Sequence, residues 1–119
     1  MQLIGAELGS VEDGAVEIVL PFRDDLTQQH GFIHAGVIAT IADSACGYAA
    51  FTLMPEGSEV LSVEFKTNLL RPARGKQFIA AARVLKPGKT LTVVRCDVFA
   101  DTQDDSNLVA TMLATMICR

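Results

Sequence analysis

The stretch that decides the fold reads Ala35-Gly-Val-Ile-Ala-Thr-Ile-Ala-Asp-Ser-Ala-Cys-Gly-Tyr-Ala-Ala-Phe51. It is a continuous run of helix formers and small apolar residues. The helix is predicted to begin near His34 or Ala35 and to run to about Leu53. Met54-Pro55-Glu56-Gly57 stops it, because proline and glycine punctuate a helical pattern. Apolar residues lie nearly all round this helix, which predicts burial on most sides. Its alanine and glycine content allows a neighbouring backbone to come close. Asp43, at the centre, does not fit. An ionised carboxylate without a partner is costly in apolar surroundings, or else it takes up a proton. Asp43 is therefore a candidate functional group before any motif is considered.

The flanking sequence reads as strands. Residues 2–8 and 14–20 flank the turn Glu12-Asp13-Gly14, a predicted hairpin. Residues 59–69 alternate, with Leu61, Val63, Phe65, Thr67 and Leu69 on one face and Ser62, Glu64, Lys66 and Asn68 on the other. Arg71-Pro-Ala-Arg-Gly75 is a break. Residues 76–86 and 90–100 flank Pro87-Gly88-Lys89, a second predicted hairpin. An acidic loop, Asp101-Thr-Gln-Asp-Asp-Ser-Asn107, precedes a last strand over 108–118. Short turns suit antiparallel neighbours, since parallel strands need long crossovers. The expectation is one α+β domain over residues 1–119, a curved antiparallel sheet wrapped around one long central helix. A single helix covers one sheet face, so the other faces water or a second subunit.

Composition narrows the class. The chain has 119 residues, enough for one core, with 50% hydrophobic and 20% charged residues. Its formal net charge is −4, and no stripe of Lys and Arg is present, so no nucleic-acid partner is expected. Cys46, Cys96 and Cys118 are widely spaced, with no C-x-x-C pair. They read as structural thiols in a reducing cytoplasm, with neither a disulfide framework nor a zinc site. The first residues lack the basic and apolar regions of a signal peptide. Residues 35–54 approach the length of a membrane span, but the central Asp43 and the missing basic flanks argue against a membrane segment.

The segment before the helix holds the second cluster of polar groups. Thr27-Gln-Gln-His-Gly-Phe-Ile-His-Ala-Gly36 contains both histidines of the chain, His30 and His34. A helix N-terminus presents unpaired backbone N–H groups and the positive end of the macrodipole. Such groups can polarise a carbonyl oxygen, and the small Ala35 and Gly36 leave room for a ligand. Asp43 lies nine residues beyond His34, roughly 13 Å along the axis. That is too far for both to act on one bond within one chain. Two antiparallel helices meeting across a dimer interface would bring one subunit's loop to the other's acid. Neither histidine has metal-ligand spacing, so no metal and no cofactor are expected. No G-x-S-x-G elbow is present, and Ser44 points away from its neighbour Asp43.

Taken together, Gln28-Gln-His-Gly-Phe-Ile-His34-Ala-Gly36 with Asp43, then Ser62-Val-Glu-Phe-Lys-Thr-Asn68, then Leu85-Lys-Pro-Gly-Lys-Thr90, resemble the hotdog-fold acyl-CoA thioesterases, nearest the phenylacetic-acid-degradation branch. The resemblance runs from about residue 14 to the end. It implies a hotdog fold, hydrolysis of an acyl-CoA or aroyl-CoA substrate, and a homodimer or homotetramer with the active site at the subunit interface. It implies that Asp43 is the general base or nucleophile. Gln28 would help to hold the thioester or the attacking water, His34 would position the site, and the Ala35 N–H would polarise the carbonyl. Gly36 completes the motif, and Ser62 matches a residue that positions water. Gly47 stands where some relatives carry a threonine. Arg71, Arg74, Lys86 and Lys89 are the candidates for the CoA phosphates. Phe32, Tyr48, Phe51 and Phe65 line an acyl pocket or pack in the core. Two other readings stand beside hydrolysis: a hotdog hydroxyacyl-thioester dehydratase, and a non-catalytic acyl-CoA-binding or sensing protein.

Overall fold

A computed structural model describes residues 1–119. Six strands and one long helix follow one another as β1 (Glu7–Glu12), β2 (Ala15–Pro21), α1 (Ala35–Phe51), β3 (Val60–Leu69), β4 (Gln77–Lys86), β5 (Leu91–Ala100) and β6 (Leu108–Cys118). The strands form one sheet in the order β1-β2-β4-β5-β6-β3, and every pairing is antiparallel. The sheet curves around α1. This is the α+β hotdog architecture that the sequence predicts. No helix is long and apolar enough to cross a membrane.

The core follows from alternation. Cross-strand partners share a face, so Ile18, Ala80, Val98 and Ala110 form one row across four strands. Val16, Ala82, Cys96 and Met112 form the next. All eight are buried, and they meet Ile38, Ile41, Ala42, Ala45, Cys46, Ala49 and Ala50 of α1. Alanines on both the helix and β4 permit the close approach of helix and sheet. Each fully buried Ile or Leu contributes about 1.5–3 kcal/mol of transfer free energy.

The structure corrects the sequence reading in four places. Residues 2–4 form a 3-10 turn, and β1 starts only at Glu7. Gly14, at φ 75°, makes the β1–β2 turn. The last four strands do not form a simple meander. β3 pairs with β6 at the edge of the sheet, and the crossing segment 70–76 is tied down by Leu70 N–H donating to Val109 O at 2.8 Å.

The helix is not buried on most sides. Gly36, Thr40, Tyr48 and Phe51 are exposed, and Asp43, Ser44 and Gly47 are half-buried. These positions recur at helical spacing and form one stripe. The stripe is open because the sheet stops at two edges, β1 and β3, and does not close.

The alternation in β3 is broken. Ser62 pairs with Met116, yet Glu64 pairs with Thr115, so Val63 is an extra residue in a β-bulge. Met116, Ala114 and Met112 are buried on the helix side. Their partners Ser62, Phe65 and Thr67 therefore face the helix as well. Ser62 was expected on the opposite face from Phe65, and the bulge places it on the same one.

Candidate active site

The loop before α1 is built around Gln28. Its side-chain Oε1 accepts from His30 N–H at 2.7 Å and Phe32 N–H at 3.1 Å. Its own N–H donates to Phe32 O at 2.8 Å. Gly31, at φ 83°, turns the loop tip, which glycine does without steric cost. With the oxygen committed to the loop, the Gln28 amide keeps its N–H donors for a ligand. The Arg74 guanidinium lies 5.0 Å from the centroid of the Phe32 ring, a cation–π contact that pins the loop from the crossing segment.

His34 is the N-cap of α1, and its Nδ1 accepts from Gly36 N–H at 2.8 Å. An accepting nitrogen carries no proton, so Nδ1 is committed to the cap. This explains the glycine that follows. A Cβ at residue 36 would stand 3.0 Å from that nitrogen. Val37 and Ile38 N–H both donate to His34 O, so Ala35 N–H is the donor of the first turn left for a ligand. It borders a cleft of about 640 Å³ whose walls include Gln28, Phe32, His34, Ile38, Leu69 and Arg71.

Asp43 stands in a second cleft on the same helix, of about 200 Å³, lined by Asp43, Ser44, Gly47, Tyr48, Val60 and Ser62. The Ser62 hydroxyl donates to Asp43 Oδ1 at 2.6 Å, and Met116 Sδ lies 3.4 Å from the same hydroxyl. The carboxylate is thus neither sealed in the core nor unpartnered. Asp43 and Ser62 are brought together within one chain, a contact that the sequence reading, which gave Ser62 to a water molecule, does not name. Gln28 and Ala35, which that reading sets against Asp43 of a second subunit, line the other cleft of this chain. Eight helical residues, about 12 Å of axis, separate Ala35 from Asp43.

The four basic candidates do not form one group. Arg71 borders the larger cleft and Arg74 stacks beside it. Lys86 and Lys89 lie at the other end of β4, whose ten residues span about 30 Å. The aromatic candidates sit outside the core. Phe32 is half-buried against the larger cleft, and Tyr48, Phe51 and Phe65 are each 46% exposed. Met116 and Val60, which complete the surroundings of Asp43, were not anticipated. They come from strands whose register depends on the bulge, and a single sequence shows no signal for it.

Known proteins bear on this geometry. The family model described as Thioesterase superfamily matches residues 30–106. A thioesterase family protein from Silicibacter pomeroyi is similar in structure, with a TM-score of 0.93 and 48% identity over 99% of this chain and 87% of that one. A Halobacterium salinarum protein provisionally named an esterase is 32% identical over 111 residues, 87% of this chain and 73% of its own. A Listeria monocytogenes protein named 1,4-dihydroxy-2-naphthoyl-CoA hydrolase is 26% identical over 102 residues, 86% of this chain and 83% of its own.

Proposed function

The chain belongs to the thioesterase superfamily, and from that premise we propose that it hydrolyses an acyl-CoA or aroyl-CoA thioester to the free acid and CoA, at a site shared by two copies of the chain. Members of the family hydrolyse acyl-CoA thioesters. The observation that carries the reading is the pair of half-sites on one helix. Asp43 is held by Ser62 in one cleft, and Gln28 and Ala35 border another.

A two-fold axis that runs two α1 helices antiparallel brings the Ala35 end of one against Asp43 of the other. The edge strand β3 supports such an assembly. It is ten residues long, has a free edge, and exposes Leu61, Val63, Phe65 and Leu69. An edge of this kind is a template for pairing with another chain.

The chemistry then follows from the donors and acceptors. Asp43, oriented by Ser62, takes a proton from a water molecule, and the water oxygen adds to the thioester carbonyl carbon. The Ala35 N–H and the Gln28 amide of the partner donate to the oxyanion that forms. The C–S bond breaks, and the CoA sulfur leaves with a proton. Alternatively, Asp43 attacks the carbonyl carbon itself and expels CoA, and water hydrolyses the resulting anhydride. Incorporation of ¹⁸O from water into Asp43 separates the second route from the first. A dehydratase has less support, because both histidines lie in the loop and cap, with Nδ1 of His34 committed to Gly36.

The test is a panel of acyl- and aroyl-CoAs with wild type, Asp43→Asn and Gln28→Ala. Each variant alone should be nearly inactive. A mixture reassociated after dissociation should recover about a quarter of wild-type activity, because half the dimers are then mixed and each holds one intact site. Full activity in Asp43→Asn rejects the catalytic role. Wild type that binds CoA esters but cleaves none favours the sensing reading.

A further inference from the structure

The open stripe of α1 between the sheet edges carries Gly47 and Tyr48, neither of which takes part in the proposed hydrolysis. Gly47 lies in the helix interior, where glycine is a poor helix former. Packing does not demand it, since a Cβ built there meets no atom within 4 Å. The helix surface is therefore bare one turn beyond Asp43.

Tyr48 borders two hollows at once. One is the cleft of about 200 Å³ that holds Asp43, Gly47 and Ser62. The other, about 170 Å³, is walled by Met1, Leu8 and Ile18. The first lies against the β3 edge and the second against β1 and β2, so both lie in the opening between the sheet edges, with Tyr48 in the wall of each. Polar groups fall on the Asp43 side, and beyond the ring every wall residue is apolar.

We propose that the acyl group of the thioester occupies this opening and that Tyr48 determines which acyl groups fit. The carbonyl lies at Asp43, the chain crosses the bare backbone at Gly47, and its far end passes the Tyr48 ring into the hollow of Met1, Leu8 and Ile18. The substrate class is then an unbranched apolar acyl group of medium length. Five residues of helix from Asp43 to Tyr48 make about 7.5 Å of axis, which an acetyl group does not span and a medium chain does. The side chains of Met1, Leu8 and Ile18 are apolar, so they favour an apolar chain end, which loses no hydrogen bonds to water on entering. This assignment rests on the hydrolysis reading of the Asp43 site.

The test is kcat/KM for straight-chain acyl-CoAs from acetyl to lauroyl, with wild type, Tyr48→Ala, Tyr48→Phe, Leu8→Trp and Asp43→Asn. Tyr48→Ala should raise the ratio of long-chain to short-chain activity about tenfold, the scale on which a pocket discriminates methylenes. Tyr48→Phe should keep the wild-type profile, and Leu8→Trp, which fills the hollow from an exposed position, should move the optimum to shorter chains. An unchanged profile in both Tyr48→Ala and Leu8→Trp overturns the assignment. If Asp43→Asn is inactive in the same experiment, hydrolysis stands without it. If wild type cleaves no CoA ester, hydrolysis fails. Calorimetric binding of non-hydrolysable acyl-CoA thioethers then reads the same chain-length profile. A shift in Tyr48→Ala keeps the acyl assignment, and an identical profile rejects it.

Discussion

The hydroxyl of Ser62 donates to Asp43 Oδ1 at 2.6 Å, joining a bulged edge strand to the middle of the central helix. The bond fixes one carboxylate oxygen, and no other side chain of this chain donates to Asp43. Asp43→Asn should lower kcat by about 10²-fold or more, as expected when a positioned base or nucleophile is removed. Ser62→Ala should cost about tenfold, since a hydrogen bond to a charged group contributes about 1.5 kcal/mol or more. Steady-state kinetics on one acyl-CoA checks both. Equal losses for the two variants would mean that Ser62 does more than orient the acid.

Gln28 combines a structural oxygen with a free amide nitrogen, and two variants separate these. Gln28→Glu keeps the acceptor for His30 and Phe32 N–H but replaces the donor by a second oxygen. It should retain a melting temperature near that of wild type and lose most activity. Gln28→Ala should lose activity and also about 1 kcal/mol of stability through the broken loop bonds. A Gln28→Glu variant with wild-type kcat would leave Gln28 only its loop role.

Gly47→Ala should divide stability from function. Alanine has room there and is the better helix former by about 0.5–1 kcal/mol, so thermal unfolding should shift upward. The added methyl enters the cleft that holds Asp43, so kcat/KM should fall. Greater stability with undiminished activity on every chain length would show that nothing crosses the helix at this position.

Cys96 sets a pH dependence. A hydrogen bond in which the Cys96 thiol keeps its proton and Cys46 Sγ accepts, with burial adding to it, pushes the Cys96 thiol well above its ordinary value of 9.0. The folded chain then holds a proton that the unfolded chain releases. Above pH 9 the unfolded state binds fewer protons, so this contribution is intact below that pH and is lost as the pH rises towards the folded value. Urea unfolding from pH 7 to 10.5 should show a decline that Cys96→Ala reduces. A thiol reagent at neutral pH should label Cys118, which is half-buried, and leave Cys46 and Cys96, which are buried. Rapid labelling of all three in the native state would contradict this.

Much of this was legible in the sequence because the signals are local. The run Ala35–Phe51 and its Pro55-Glu-Gly57 stop give the helix. The turns at Gly14 and Gly88 give two hairpins. Asp43 stands out by being the one acid in that run. The parts that were not legible depend on long-range register. Nothing in Leu61-Ser-Val-Glu64 announces that Val63 is extra, so regular alternation put Ser62 on the wrong face. Apolar composition likewise suggested a helix buried on most sides. Whether Tyr48 and Phe51 are covered depends on where the sheet ends, and periodicity within the helix carries no information about that. The separation of Lys86 and Lys89 from Arg71 and Arg74 follows from the length of β4 once the strands are placed.

The unclosed sheet has one further consequence. A barrel would join β1 to β3 and leave no free edge, but it would also wall off the stripe that carries Asp43. Stopping at six strands keeps a doorway and leaves the ten residues of β3 with unpaired backbone groups. Access for a ligand and a hazard of self-templated aggregation are therefore one geometric fact. Glu64 and Lys66, side by side with Phe65 in the middle of that strand, are charges of the kind that act as gatekeepers against such stacking. Replacing them with apolar residues would leave Asp43 and its neighbours untouched and would threaten the solubility of any copy waiting for its partner.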